Sequence, residues 1–386
     1  MKKTQVKGMK QCASKLKSSA ELKSVVWSDL DLNLVGEIKK RLYWTDHVRF
    51  GGVCKNWQAA QHEKRAADVL PWLMNVRREN IREISYSLYE PSAPHVQPPI
   101  VHGIIALDQI FHISCMRIQM NVVYRDGCLC ISMFNKEATC SYVILYTLAT
   151  KNIIKLPQFN HPRVPEEFDK DMFWAVSTKP TSPDCVFFVL YISNNHKWST
   201  GIYRHGDTDW SITEFEGDSD GIIPFVDDVV FIRGVFYFLC TDYRLGSYDI
   251  SSEELKLEFF SSTIDYRDIN KFFGLDGELM LAYHDFKARK FFITSYDWAQ
   301  KVWVPLKSLG DRSLFLSNHS VYVDAINYYG VSANKIYIRE HGTCNVYSLD
   351  NGELLESTSS GLRNWDGLDY YSGCTVWVEP PHLLPK

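Results

Sequence analysis

The chain has 386 residues, 45% apolar, 14% aromatic and 23% charged, with a formal charge of -4. That length favours two domains over a single core. The acidic balance argues against non-specific nucleic-acid binding, which needs a dense basic surface, and no apolar run approaches the roughly 20 residues of a membrane span.

Residues 1–24 carry Lys2, Lys3, Lys7, Lys10, Lys15, Lys17 and Lys23 against Glu21 alone. This reads as a basic, solvated, disordered tail, with a nuclear-localisation patch as the sharper alternative. No apolar core follows to make a secretory signal. The 10 cysteines contain no C-x-x-C pair. Together these point to the nucleus and/or cytoplasm, with the thiols acting as small buried hydrophobes.

Residues 25–66 read as three short helices. Ser28 or Asp29 is the expected N-cap. Leu30, Leu34, Ile38 and Leu42 recur every fourth residue and Val35 joins them, the pattern of an amphipathic helix. Thr45-Asp46 opens a second helix through Val48 and Phe50, ended by Gly51-Gly52. A third carries Val53, Cys54, Trp57, Ala59 and Ala60.

This stretch resembles the F-box, most specifically in Val53-Cys54-Lys55-Asn56-Trp57 with Arg49-Phe50 ahead of it. The resemblance implies docking on a Skp-type adaptor, and through it a cullin, by Leu30, Leu34, Ile38, Val53, Cys54 and Trp57. Two departures bear on this. Asp31 stands where the family has Pro, and Gly51-Gly52 replaces a bulkier pair.

Residues 67–100 read as a helical and Pro-rich connector, because Pro71 opens it and Pro91, Pro94, Pro98 and Pro99 close it. From 101 to 386 the signal is strands and turns. Asp126-Gly127, Arg233-Gly234 and Asp276-Gly277 each sit between two apolar runs, a strong hairpin signal. Tyr248-Asp249, Tyr296-Asp297 and Tyr347-Ser348 end later strands. Units starting near Val122, Asp171, Phe225, Asp268 and Ser313 give a period of roughly 43 to 54 residues and about six four-stranded blades. The strand around Cys374-Thr375-Val376-Trp377-Val378 is expected to complete a blade begun near Val101. The expected fold is thus a small all-α head followed by an all-β propeller, with a β-sandwich as the alternative for the larger part.

The stretches Pro71–Met74, Ser85–Glu90, Tyr146–Pro157, Trp303–Ser317 and Asp369–Pro381, above all Ser308-Leu309-Gly310-Asp311-Arg312, resemble plant F-box proteins with a KIB-type propeller. The family's Asn-Pro-Leu-Thr-Gly turn is here Tyr146-Thr147-Leu148-Ala149-Thr150-Lys151. The resemblance implies a substrate receptor of an SCF (Skp–cullin–F-box) ubiquitin ligase, holding an unidentified target protein on the propeller. A propeller interaction module with a degenerate head is the alternative.

Catalytic signals are missing. No phosphate-cradling glycine loop or nucleophile elbow occurs. His102 and His112 lack metal-ligand spacing, and Glu216–Gly221 echoes a calcium loop without its closing Glu. No catalytic residue, cofactor or metal is therefore expected. Candidate target-binding loops are Ser193–Thr200 and Asp207–Gly221, for which ordinary solvated connections are the plain alternative.

Overall fold

A computed structural model describes residues 30–39, 50, 53–55, 57, 71–80, 82–89, 101–107, 118–135, 140–161, 172–192, 197–215, 226–240, 242–260, 264–265, 268–317, 320–325, 333–340, 343–359 and 373–378. The chain divides into two compact units, Met1–Arg65 and Ala66–Lys386.

In the first unit, helix α1 spans Leu32–Lys39. Its cap is Asp31, not Ser28 or Asp29, which lie outside the described residues. Asp31 Oδ1 accepts the amide of Asn33 at 2.8 Å, and its carbonyl accepts that of Val35 at 2.9 Å. The residue that departs from the F-box pattern thus performs helix entry by capping, where Pro would preset the backbone. Val35, Phe50 and Trp57 form a small core, with Leu30, Ile38 and Cys54 packed against it. The Phe50 and Trp57 rings stack at 4.3 Å. The remainder of the expected second and third helices lies outside the described residues.

The second unit is a ring of six sheets. The first holds β1 (Trp72–Asn80), β2 (Glu83–Tyr89) and β3 (Val101–Ala106). The second holds β4 (Ile118–Arg125), β5 (Cys128–Asn135), β6 (Cys140–Thr147) and β7 (Ile153–Lys155), with β8 (Phe159–Asn160) also on β6. The third runs β9 (Met172–Val176), β10 (Val186–Ile192), β11 (Trp198–Arg204) and β12 (Ser211–Phe215). The fourth runs β13 (Val226–Ile232), β14 (Val235–Cys240), β15 (Arg244–Asp249) and β16 (Glu254–Phe259). The fifth runs β17 (Ile269–Leu275), β18 (Glu278–Asp285), β19 (Lys290–Asp297) and β20 (Val302–Pro305). The sixth contains β21 (Arg312–Ser317), β22 (Ser320–Ala325), β23 (Lys335–Glu340), β24 (Thr343–Ser348) and β25 (Leu354–Ser359). Strand β26 (Gly373–Val378) then returns to β1, pairing antiparallel from Trp72 opposite Val378 to Arg77 opposite Gly373. This is a six-bladed β-propeller whose first blade is completed by the last described strand.

The boundary expected at residue 101 is corrected by this pairing. Residues 72–80 and 83–89 of the expected connector are strands β1 and β2 of the first blade. Their charges, Arg77, Arg78, Glu79 and Glu83, gather toward the turn between the two strands, while Trp72, Met74 and Val76, then Ile84, Tyr86 and Leu88, are buried. The Pro-rich residues 90–100 lie outside the described residues. The closing strand therefore completes a blade begun at Trp72, not near Val101.

The local causes of the hairpins are visible. Asp126 and Gly127 (φ 49 and 76), Arg233 and Gly234 (48 and 92) and Asp276 and Gly277 (53 and 80) are all left-handed, the signature of type I′ turns. Third and fourth strands are joined differently. Lys151, Glu253 and Gly352 donate to the carbonyls of Thr147, Asp249 and Ser348 at 2.8–2.9 Å, each from a left-handed residue. Lys151 closes this turn at φ 57, so the divergent Tyr146–Lys151 stretch keeps the turn with Lys in the strained position.

The core lies between the blades. Phe187 and Phe188 are neighbours on β10 and point to opposite faces of their sheet. Phe187 joins Cys128, Val143, Trp174 and Trp210 on one side, and Phe188 stacks on Phe236 at 4.3 Å on the other. This two-sided burial explains why the middle strands read as unbroken apolar runs. Each such ring contributes about 1.5–3 kcal/mol of burial.

Gly246 tests the closeness of this packing, because a Cβ there would lie 2.0 Å from the Phe238 ring. Gly246→Ala is expected to cost about 1–3 kcal/mol, read as a lowered urea midpoint with unchanged slope. An unchanged midpoint would show that Phe238 can move aside.

Candidate functional site

Six head residues are expected to contact an adaptor, and the structure sorts them. Leu34 and Val53 are 55% and 53% exposed. Leu30, Ile38 and Cys54 pack at the margin of the small core, and Trp57 lies within it, its amide 3.5 Å from Cys54 Sγ. Leu32, not singled out by the spacing, is 52% exposed. The head thus presents Leu34 and Val53 to water while Trp57 and Phe50 hold the shape beneath them.

On the propeller, Ser308-Leu309-Gly310-Asp311-Arg312 has a definite structural role. The Leu309 amide donates to Asn334 Oδ1 at 2.7 Å, and the Gly310 amide to Ser308 Oγ at 2.9 Å with Gly310 at φ 71. Arg312 then grips Asp276 of the fifth blade with two bonds of 2.9 and 2.6 Å, and its carbonyl accepts the Asn334 amide at 3.0 Å. This turn starts β21 at the same end as β23, so the two run parallel, and β22 is added on the inner side. Sequence periodicity gave no sign of this five-stranded blade, because β21 is placed by its pairing with β23 and by Asn334 and Asp276, none of them part of its own hairpin.

The Arg312 guanidinium holds the Asp276 carboxyl below the usual carboxylate range, and Asp276 in turn raises Arg312. A carboxyl depressed in the folded chain stabilises it above the unfolded value, about 3.9. That contribution disappears as pH falls through and below this value. The pair is well exposed, so Asp276→Asn should cost only about 0.5–1 kcal/mol at neutral pH and nothing in strong acid. Chemical denaturation of both chains across that range reads the difference, and a pH-independent gap would show that charge is not its source.

The other expected features fall as follows. Trp198, Ser199 and Thr200 are buried residues of β11 rather than loop, and Ser211–Phe215 is β12. Of the two candidate loops only the Asp207–Trp210 turn remains as a described connection; Ser193–His196 and Glu216–Gly221 lie outside the described residues, as does His112. Among the described residues no group of three His, Cys, Asp or Glu side chains is placed to hold a metal, and no helix is long and apolar enough to cross a membrane. Among the described residues the cysteines at 54, 128, 130, 140, 185, 240, 344 and 374 form no disulfide. Burial pushes the Cys128 and Cys374 thiols up to about 12, which makes them poor nucleophiles.

Six radially repeated sheets closed by a terminal strand define a β-propeller. A model of the KIB1-4 beta-propeller matches residues 114–356, more than half of the chain, and the chain belongs to that family. In Arabidopsis thaliana it is similar to the F-box/kelch-repeat protein At1g57790, 24% identical over 92% of this chain and 95% of that one. It is also similar to the F-box/kelch-repeat protein At3g18720, at 22% over 91% and 84%. Among solved structures, the dihydro-heme d1 dehydrogenase NirN aligns with a TM-score of 0.38 at 12% identity, over 78% of this chain and 56% of that chain. A likeness that loose bears on neither site nor activity.

Proposed function

We propose that the chain is the substrate-recognition subunit of an SCF-type E3 ubiquitin ligase. The observation that carries this reading is the head's exposed pair Leu34 and Val53 over a core of Val35, Phe50 and Trp57, on a chain whose relatives are named F-box proteins. The head docks on a Skp-type adaptor through Leu30, Leu34, Ile38, Val53, Cys54 and Trp57, and the adaptor leads to a cullin. The buried anchors of such an interface carry most of its energy. The propeller holds a target protein, keeping the target's lysines at high effective concentration near a charged conjugating enzyme. Acceleration comes from proximity, and this chain supplies no acid, base or nucleophile. Cysteines without a disulfide among the described residues suit the nucleus or cytoplasm.

Co-purification with a Skp-type adaptor and a cullin tests this. Retention of both supports the ligase reading. A folded chain that retains neither is a propeller interaction module whose head has lost its partner.

A further inference from the structure

The fourth and fifth blades present aromatic side chains to water at one shared end, where their second strands turn into their third. Phe286, in the β18–β19 turn, is 65% exposed, Phe259 at the end of β16 is 70% exposed, and Tyr243 in the β14–β15 turn is 37% exposed. Phe259 lies opposite Arg244 in the ladder, which places it at the same end as Tyr243. Scattered aliphatic groups on outer strands are ordinary surface, but aromatic rings on loops set by a rigid scaffold mark binding surfaces.

The Phe286 tip is built before any partner arrives. Asp285 Oδ1 accepts the amides of Lys287 and Ala288 at 2.9 and 2.8 Å. Arg289 closes the turn at φ 55, and the Phe286 ring stands edge-on to His284 at 4.4 Å. Little conformational freedom is left to lose on binding.

The charge of the tip is net positive. Asp285 Oδ1 accepts the turn's own amides, and the carboxylate keeps its charge. Lys290 faces Glu353 at 3.9 Å. Lys287 and Arg289, both exposed, flank Phe286 with no ion pair among the described residues. On the adjoining blade, Asp242 is paired with the buried Arg244 at 2.6 Å, and that guanidinium lies over the Phe259 ring at 5.6 Å. Residues 285–289 thus carry Lys287 and Arg289 against the Asp285 carboxylate, a net cationic turn on a chain of formal charge -4.

We propose that this tip binds an acidic segment of a partner protein, seating an apolar side chain against Phe286 and carboxylates against Lys287 and Arg289. The proposal rests on the reading of the propeller as the target-holding unit and names the chemistry of the segment it holds. Charge-assisted bonds beside a desolvated aromatic anchor supply both affinity and selection against basic segments.

The test pans a displayed library of random peptides over the full chain. Enriched peptides should carry Asp or Glu on both sides of an apolar residue. Their affinity should fall at least about tenfold for Phe286→Ala and again for Lys287→Glu with Arg289→Glu. If either variant melts earlier than the native chain, Lys287→Ala with Arg289→Ala repeats the comparison. No enrichment, enrichment without acidic residues, or undiminished binding to folded variants would each overturn the proposal. So would Phe286-dependent binding to phosphatidylserine vesicles without peptide enrichment, which would assign the tip to a membrane surface. Adaptor co-purification from the same samples keeps the two readings separate. A chain that binds the peptides without an adaptor keeps the tip and loses the ligase, and the converse result does the opposite.

Discussion

Leu34→Glu is expected to lower affinity for a Skp-type adaptor by at least about 30-fold, with no change in the melting temperature of the chain. The affinity loss corresponds to about 2 kcal/mol or more, the ordinary cost of removing an interface anchor. The unchanged stability follows from the exposure of Leu34, because a carboxylate there stays in water while the chain is alone. Trp57→Ala makes the opposite case. Its ring is part of the head's small core and stacks on Phe50, so truncation should cost about 3–5 kcal/mol in the head and reduce adaptor binding through lost shape. Calorimetric titration with purified adaptor, beside thermal melts, separates the two. Full affinity in Leu34→Glu would remove Leu34 from the interface, and full stability in Trp57→Ala would remove Trp57 from the core.

That contrast shows where the sequence stopped being informative about the head. Spacing by fours put Leu30, Leu34 and Ile38 together. An α-helix advances about 100° per residue, and the structure centres the buried side on Val35, leaving Leu34 a full step round. Which of two apolar neighbours faces inward is decided by what packs on the helix, here Phe50 and Trp57 on Val35, and the helix's own spacing does not report it.

The blades were legible wherever their cause was local. A type I′ turn needs left-handed residues at two adjacent positions, so Asp126-Gly127, Arg233-Gly234 and Asp276-Gly277 announce themselves. The first blade did not, because β1 owes its place to β26 at the other end of the chain. The Asn80–Glu83 turn also lacks glycine. The parallel pairing of β21 with β23 was illegible for a related reason, since it depends on Asn334 and Asp276 catching a turn from outside their own hairpins. The exposed Phe286 was missed because periodicity reports what is buried, and a ring at the tip of a turn belongs to no stripe.

Ring closure sets the second large effect. Trp377, on β26, is 1% exposed, meets Phe315 of the sixth blade at 5.4 Å, and donates its indole N–H to the Leu316 carbonyl at 2.8 Å. It shares a cluster with Leu73 of β1. One side chain thus packs the first blade on the sixth, beside the non-covalent β26–β1 ladder that closes the ring. Trp377→Ala should cost at least about 4 kcal/mol, combining a large core truncation with the loss of the indole hydrogen bond. That is a large share of the about 5–15 kcal/mol by which folded domains are stable. Trp377→Phe keeps a ring and loses the N–H, and should cost about 1–3 kcal/mol. Leu354→Ala, half exposed on the outer strand β25, should cost less than about 1 kcal/mol. Urea unfolding of the three chains gives the order directly. If Trp377→Ala fell no further than Leu354→Ala, the packing of β26 on the sixth blade would not be what secures the closed ring, and stability would reside in the blades taken singly.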